Sequence, residues 1–168
     1  MLAVAATMAD APPEQTILLV DQDHDFLEWA TKHLTANGLR ILRCDNADNA
    51  VKVVEKTTVD LVVADIQLQP FDGLELLSRL RQTSPATLVI LTTGFPSTGQ
   101  VIEATQRGAH DVMRKEALPF ELRPVVESAL QTADDRRSAE QPAAEMPSLD
   151  GRVKIIGVSR ALQDVFKI

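Results

Sequence analysis

Apolar and polar positions follow two rhythms along this chain, and the rhythms take turns. Residues 16–20 form a short unbroken apolar run rich in branched side chains, the pattern of a strand buried on both faces. Phe26, Leu27, Ala30 and Leu34 then recur at the spacing of one helix face. Asp23 or Asp25 stands where that helix would be capped, and Asn37-Gly38 stands where it would stop. The alternation returns four more times. Further strands are expected at 39–43, 60–64, 87–91 and 109–113. The second helix is expected to start at an Asp45 or Asn46 cap and run to about Lys56. The third follows the stripe Leu74, Leu76, Leu77, Leu80 as far as Ser84-Pro85. The fourth is expected from Ser97 or Thr98 to Gly108, and the fifth over 119–132. Five strand–helix units with short connections predict a parallel sheet covered by helices on both faces.

Outside these units the pattern fades. Residues 1–15 read as a disordered N-terminal tail, and 16–132 as the folded domain. Residues 133–151 carry no apolar period and read as a linker. Order signals resume over 152–168, a piece too short to bury a core alone. At 168 residues and 45% apolar, the chain suits one domain plus an appendage. Its formal charge of −7, with no basic cluster beyond Arg136-Arg137, argues against direct contact with nucleic acid. No run nears the roughly 20 apolar residues of a membrane span. Cys44 is the one cysteine, so no internal disulfide is available, which suits a reducing, cytoplasmic setting. Cys44 itself reads as a small core residue. His24, His33 and His110 lack metal-ligand spacing.

The chemistry gathers where strands end. Asp21-Gln22-Asp23 follows the first apolar run, Asp65 closes the third, Thr92-Thr93 follows the fourth, and Lys115 follows the fifth. Parallel sheets place ligands outside the carboxyl ends of their strands. Acids, a hydroxyl and a lysine at successive strand ends predict one pocket for a divalent cation and a phosphoryl group.

In that order and setting, these residues resemble the receiver domain of two-component response regulators, over about 16–132. Val20-Asp21-Gln22-Asp23 looks like the acidic first loop, and Asp65 with Pro70-Phe71-Asp72-Gly73 looks like the phosphoacceptor and its loop. Thr93-Gly94-Phe95 looks like the switch hydroxyl motif, and Gly108-Ala109-His110-Asp111 leads into a lysine, Lys115, as in the family. The intervals from Asp65 to Thr93 and from Thr93 to Lys115 agree with the family.

The resemblance implies a flavodoxin-like (βα)5 fold of the α/β class, a five-stranded parallel sheet in the order 2-1-3-4-5. It implies a phosphoacceptor signalling switch rather than an enzyme, with Asp65 receiving a phosphoryl group from a sensor histidine kinase. Lys115 and Thr93 would contact that group. Mg2+ (or Mn2+) would be held by Asp21, Gln22, Asp65 and the backbone carbonyl of Gln67. It also implies a homodimer formed through the fourth helix, fifth strand and fifth helix. The sequence departs from the family at Gln22, where an acid is usual and whose loss weakens cation binding. It departs again at Val112, where an aromatic is common, and at Glu116, where a proline is. Asp23 offers a compensating acid, or a helix cap.

A second resemblance lies beyond the linker. Ile155-Ile156-Gly157-Val158-Ser159-Arg160-Ala161-Leu162-Gln163-Asp164-Val165-Phe166-Lys167-Ile168 looks like the opening of the AAA+ domain of NtrC-type, sigma-54-dependent activators, truncated here. The Gly-rich phosphate loop that would follow is not in these residues. The leading expectation is therefore a receiver that switches a sigma-54-dependent output domain. The alternative is a pseudo-receiver, a protein-interaction module that works without phosphorylation. A flavin-binding module fits less well, because acids after the first strand would repel the cofactor phosphate.

Overall fold

The computed structural model describes residues 15–35 and 38–140. Five strands, β1 (Gln15–Val20), β2 (Leu39–Cys44), β3 (Leu61–Asp65), β4 (Leu88–Thr93) and β5 (Asp111–Arg114), form one sheet in the order β2-β1-β3-β4-β5. Every pairing is parallel. Between them run α1 (His24–Leu34), α2 (Ala47–Lys56), α3 (Gly73–Thr83) and α4 (Thr98–Gln106). A 3-10 turn, Lys115–Ala117, leads into α5 (Leu118–Glu140).

Pleat alternation divides the strand side chains between two cores. Leu18, Val20, Val62, Ala64, Val89 and Leu91 face α2, α3 and α4, where Ala50, Leu76, Leu77, Leu80 and Ala104 meet them. Ile17, Leu19, Leu61, Val63 and Ile90 face α1 and α5, against Leu27, Leu34, Leu122 and Val126. Each large side chain removed completely from water stabilises the fold by roughly 1.5–3 kcal/mol. Both faces of β1, β3 and β4 are filled in this way, which is why their sequences are unbroken apolar runs rather than alternating ones.

The helix starts follow local chemistry. Asp23 caps α1 by accepting from Asp25 N–H and Phe26 N–H. Asn46 caps α2, Asp72 caps α3, and Ser97 with Gln100 forms a reciprocal capping box at α4.

Some boundaries differ from the sequence reading. Gln15, read with the tail, opens β1, its N–H donating to Gly38 O. Strand β4 runs on through Thr92 and Thr93. Strand β5 starts at Asp111 rather than 109, because Gly108 (φ 94°) and Ala109 donate back to Thr105 O and Ala104 O as the chain leaves α4. Helix α5 continues past 132 to Glu140. Residues 133–140 are rich in helix formers and hold no Gly or Pro, so propensity extends the helix where no apolar stripe marks it. The chain divides into two compact units, Met1–Ala133 and Asp134–Ile168. In the second, only 134–140 are described, and these are helical. The expected tail over 1–14, the helix-stopping Asn37, the rest of the linker and the segment 152–168 lie outside the described residues. No helix among the described residues is long and apolar enough to cross a membrane.

Candidate functional site

The carboxyl ends of β1 and β3 lie side by side, and the chain delivers an acid at each. Register sets Val20 opposite Ala64, so Asp21, one step on, is level with Asp65. Both carboxylates are buried. Two such charges cannot share a buried edge without a counter-charge. Lys115 provides it, entering from the far end of β5. Its Nζ donates to Asp21 Oδ2 at 2.7 Å and to Asp65 Oδ2 at 3.0 Å. Its ammonium also stands 5.1 Å above the ring of Phe26 on α1.

The remaining carboxylate oxygens are held by backbone. Asp21 Oδ1 accepts from Asp23 N–H at 2.9 Å, and Asp65 Oδ1 accepts from Gln67 N–H at 3.1 Å. Partial burial of Lys115 works against its charge. The hydrogen bonds and charges of Asp21 and Asp65 outweigh that penalty and raise its pKa above the ordinary lysine value. Lys115 therefore carries its charge throughout the neutral range.

Gly73 keeps the Asp65 loop in place. A Cβ there would lie 2.4 Å from the Asp65 carbonyl oxygen and 2.9 Å from Ile66 Cα, so no larger residue fits without moving the loop. With no side chain in the way, Gly73 N–H reaches Ile66 O at 2.8 Å.

Above the two acids opens a cleft of 640 Å3, lined among others by Asp21, Gln22, Asp23, Asp65, Gln67, Asp72, Gln100 and Lys115. Four carboxylates against one ammonium make it an electronegative cavity that attracts cations. Carboxylate, amide and carbonyl oxygens are the donors that a hard divalent cation prefers, so the set Asp21, Gln22, Asp65 and Gln67 O fits Mg2+ in kind. Gln22 is exposed at the cleft wall and brings a neutral oxygen in place of a charged one. Asp23 lines the same cleft, with its Oδ1 engaged as the α1 cap.

The structure thus joins Asp21, Asp65 and Lys115 by direct contact and sets Gln22 and Gln67 on the same cavity. Thr93 is buried at the end of β4, where its Oγ1 accepts from Phe95 N–H at 3.2 Å. It is held to its own loop rather than to the carboxylate cluster. Sequence reasoning missed Asp72 and Gln100 as cleft residues. Both are helix-cap positions, and caps mark a helix start without saying which cavity that start faces. Val112 packs against the core on the α2–α4 side, a small residue at a half-buried position.

A model of the response regulator receiver domain family matches residues 17–127. The chain is 28% identical over 130 residues to the transcriptional regulatory protein GlrR of Escherichia coli K12, covering 77% of this chain and 28% of that protein. It is 28% identical over 159 residues to the DNA-binding transcriptional regulator NtrC of the same organism, covering 92% of this chain and 32% of that protein. The chain therefore spans about a third of the length of the curated relatives it matches. Among solved structures, the signal receiver domain of an HD domain-containing protein from Pseudomonas fluorescens Pf-5 superposes with a TM-score of 0.71 at 27% identity. That likeness covers 76% of this chain and 95% of the other.

Proposed function

The chain belongs to the response regulator receiver domain family, and within it we propose that Asp65 is the phosphoacceptor of a switch that controls an output domain. One observation carries this reading. Lys115 bridges two buried carboxylates, Asp21 and Asp65, at the floor of an electronegative cleft on the sheet's carboxyl rim.

The proposed step is a phosphoryl transfer from a kinase histidine. A carboxylate oxygen of Asp65 attacks phosphorus, and a P–O bond forms as the P–N bond to the donor imidazole breaks. The imidazole leaves with the electron pair. Phosphoryl transfer spreads negative charge over the peripheral oxygens, and the Lys115 ammonium is already beside the nucleophile to meet it. Backbone N–H of Gln67 orients the carboxylate through Oδ1. Mg2+, held by Asp21, Gln22, Asp65 and the Gln67 carbonyl, would supply further charge neutralisation. Thr93 exchanges its bond from Phe95 N–H for one to the phosphoryl group, which shifts the loop into α4.

The partners follow from the same reading: a sensor histidine kinase as donor, and an AAA+ output domain beyond the linker as target. A second copy of this chain would dock on α4, β5 and α5. Val101, Ile102, Phe95 and Phe120 are large apolar side chains exposed on or beside those elements, and such a surface favours cover by a partner.

The test is phosphorylation of the chain by acetyl phosphate with Mg2+, read by intact mass beside Asp65→Asn. A single phosphoryl adduct that disappears in the variant is expected. A folded wild-type chain that takes no adduct at millimolar Mg2+ would overturn the proposal and leave an interaction module that works without phosphate.

A further inference from the structure

Four side chains stand in one row across the carboxyl rim. Register pairs Asp65 with Thr92 and Thr92 with Met113, and the step after Val20 and Ala64 sets Asp21 level with Asp65. Partners in register point to the same side of a parallel sheet, and adjacent strands lie about 4.8 Å apart. Met113 belongs to the core between the sheet and α1 and α5, which fixes the face on which the row stands. Asp21 and Asp65 are joined through Lys115. Thr92 is the polar member left over. It is fully buried, and its Oγ1 has no hydrogen-bond partner among the described residues. Thr93, the next residue, alternates to the other face and is engaged by Phe95 N–H.

A buried hydroxyl with no partner destabilises the state in which it is unpaired. In the free chain nothing on the Asp65 carboxylate calls for Thr92. Oδ1 is taken by Gln67 N–H and Oδ2 by Lys115. Phosphorylation changes that count. One carboxyl oxygen becomes the bridge of an acyl phosphate, and three phosphoryl oxygens, carrying most of the new charge, draw the ammonium away from the remaining carboxyl oxygen.

We propose that Thr92 is a positioning residue of the phosphorylated state, its hydroxyl donating to the Asp65 carboxyl oxygen that Lys115 gives up. The proposal rests on the reading of Asp65 as phosphoacceptor and involves no bond-making of its own. A hydroxyl that is unpaired in one state and paired in the other shifts the equilibrium toward the second. Thr92 is thus a second hydroxyl device beside Thr93, acting from within the sheet rather than from the loop.

The experiment uses the full chain, acetyl phosphate and Mg2+, with the steady-state ratio of phosphorylated to free chain read by intact mass. Thr92→Val, which keeps the shape and removes the hydroxyl, is expected to lower that ratio about fivefold, the scale of one neutral hydrogen bond. The unphosphorylated variant should melt at or above the wild-type temperature, since it loses an unpaired polar group. Thr92→Ser should keep the wild-type ratio. An unchanged ratio in Thr92→Val, with the wild type labelled, overturns this inference and leaves the Asp65 reading intact. A wild type that takes no label overturns the Asp65 reading and the inference with it. Should Thr92→Val not fold, Thr92→Ala is set against Thr92→Ser, and equal ratios overturn the proposal.

Discussion

Replacing Lys115 by methionine keeps a stem of similar length and takes the one ammonium from between two carboxylates. The side chain of Asp21 is 2% exposed, that of Asp65 10% and that of Lys115 28%. Removing one partner from a buried ion pair costs about 3–5 kcal/mol. Solvent reaches part of this lysine, which brings the expectation down to about 2 kcal/mol. For a folded unit of this size that is a fall in Tm of about 8 °C. The pH dependence follows from the raised pKa of Lys115. The folded chain holds that proton more tightly than the unfolded chain. The added stability is therefore complete below the unfolded lysine pKa of about 10.4. It is lost as pH climbs through the higher folded value. Denaturation followed by Trp29, the single tryptophan, measures the difference between wild type and Lys115→Met. That difference should be flat from pH 7 to about 10 and shrink above it. A gap under about 0.5 kcal/mol at pH 7, no larger than an ordinary surface change, would refute the reasoning. So would a gap that widens in alkali.

Two other substitutions probe the walls of the cleft. Gly73→Ala forces a Cβ against the Asp65 carbonyl, so it should destabilise by about 1–3 kcal/mol and slow phosphodonor labelling. A variant with wild-type Tm and labelling would show that the loop yields freely. Gln22→Asp restores a charged ligand and should tighten Mg2+ binding about tenfold by calorimetric titration. It should also lower Tm in metal-free buffer, because it adds a fifth acid to the cleft that Asp21, Asp23, Asp65 and Asp72 already line. Unchanged affinity would remove Gln22 from the ligand set.

The sheet was legible because its signals are local. A short apolar run such as 16–20 suits burial on both faces, and the first four helices begin at a side chain that caps them. The meeting of Asp21, Asp65 and Lys115 was legible for a topological reason, since each closes or follows a strand and strand ends of a parallel sheet share one rim. Thr92 was harder to read. It shares its residue type with Thr93, and strand alternation with the spacing to Lys115 favours Thr93 as the switch hydroxyl, so the place of Thr92 level with Asp65 shows only in the register. The extent of α5 was missed because Ala133-Asp134-Asp135-Arg136-Arg137-Ser138-Ala139-Glu140 continues the helix by propensity, which leaves no stripe to follow. Arg107 was also silent in sequence. Its Nη1 donates to Leu74 O and Ser78 Oγ, tying the end of α4 to α3 across 33 and 29 residues.

The central place of β1 has a kinetic consequence. The first strand in the chain is the second in the sheet, paired to β2 on one edge and β3 on the other. The bond from Lys115 to Asp21 joins residues 94 apart in the chain. Closing a long loop costs more entropy than closing a short one, and contacts of wide sequence separation slow folding as a whole. A nascent chain that has made β1 to β4 carries Asp21 and Asp65 side by side with no ammonium to separate their charges. The Lys115–Asp21 bond thus adds its stabilisation only once β5 has joined the sheet, so a chain ending before Lys115 would hold Asp21 and Asp65 without their counter-charge.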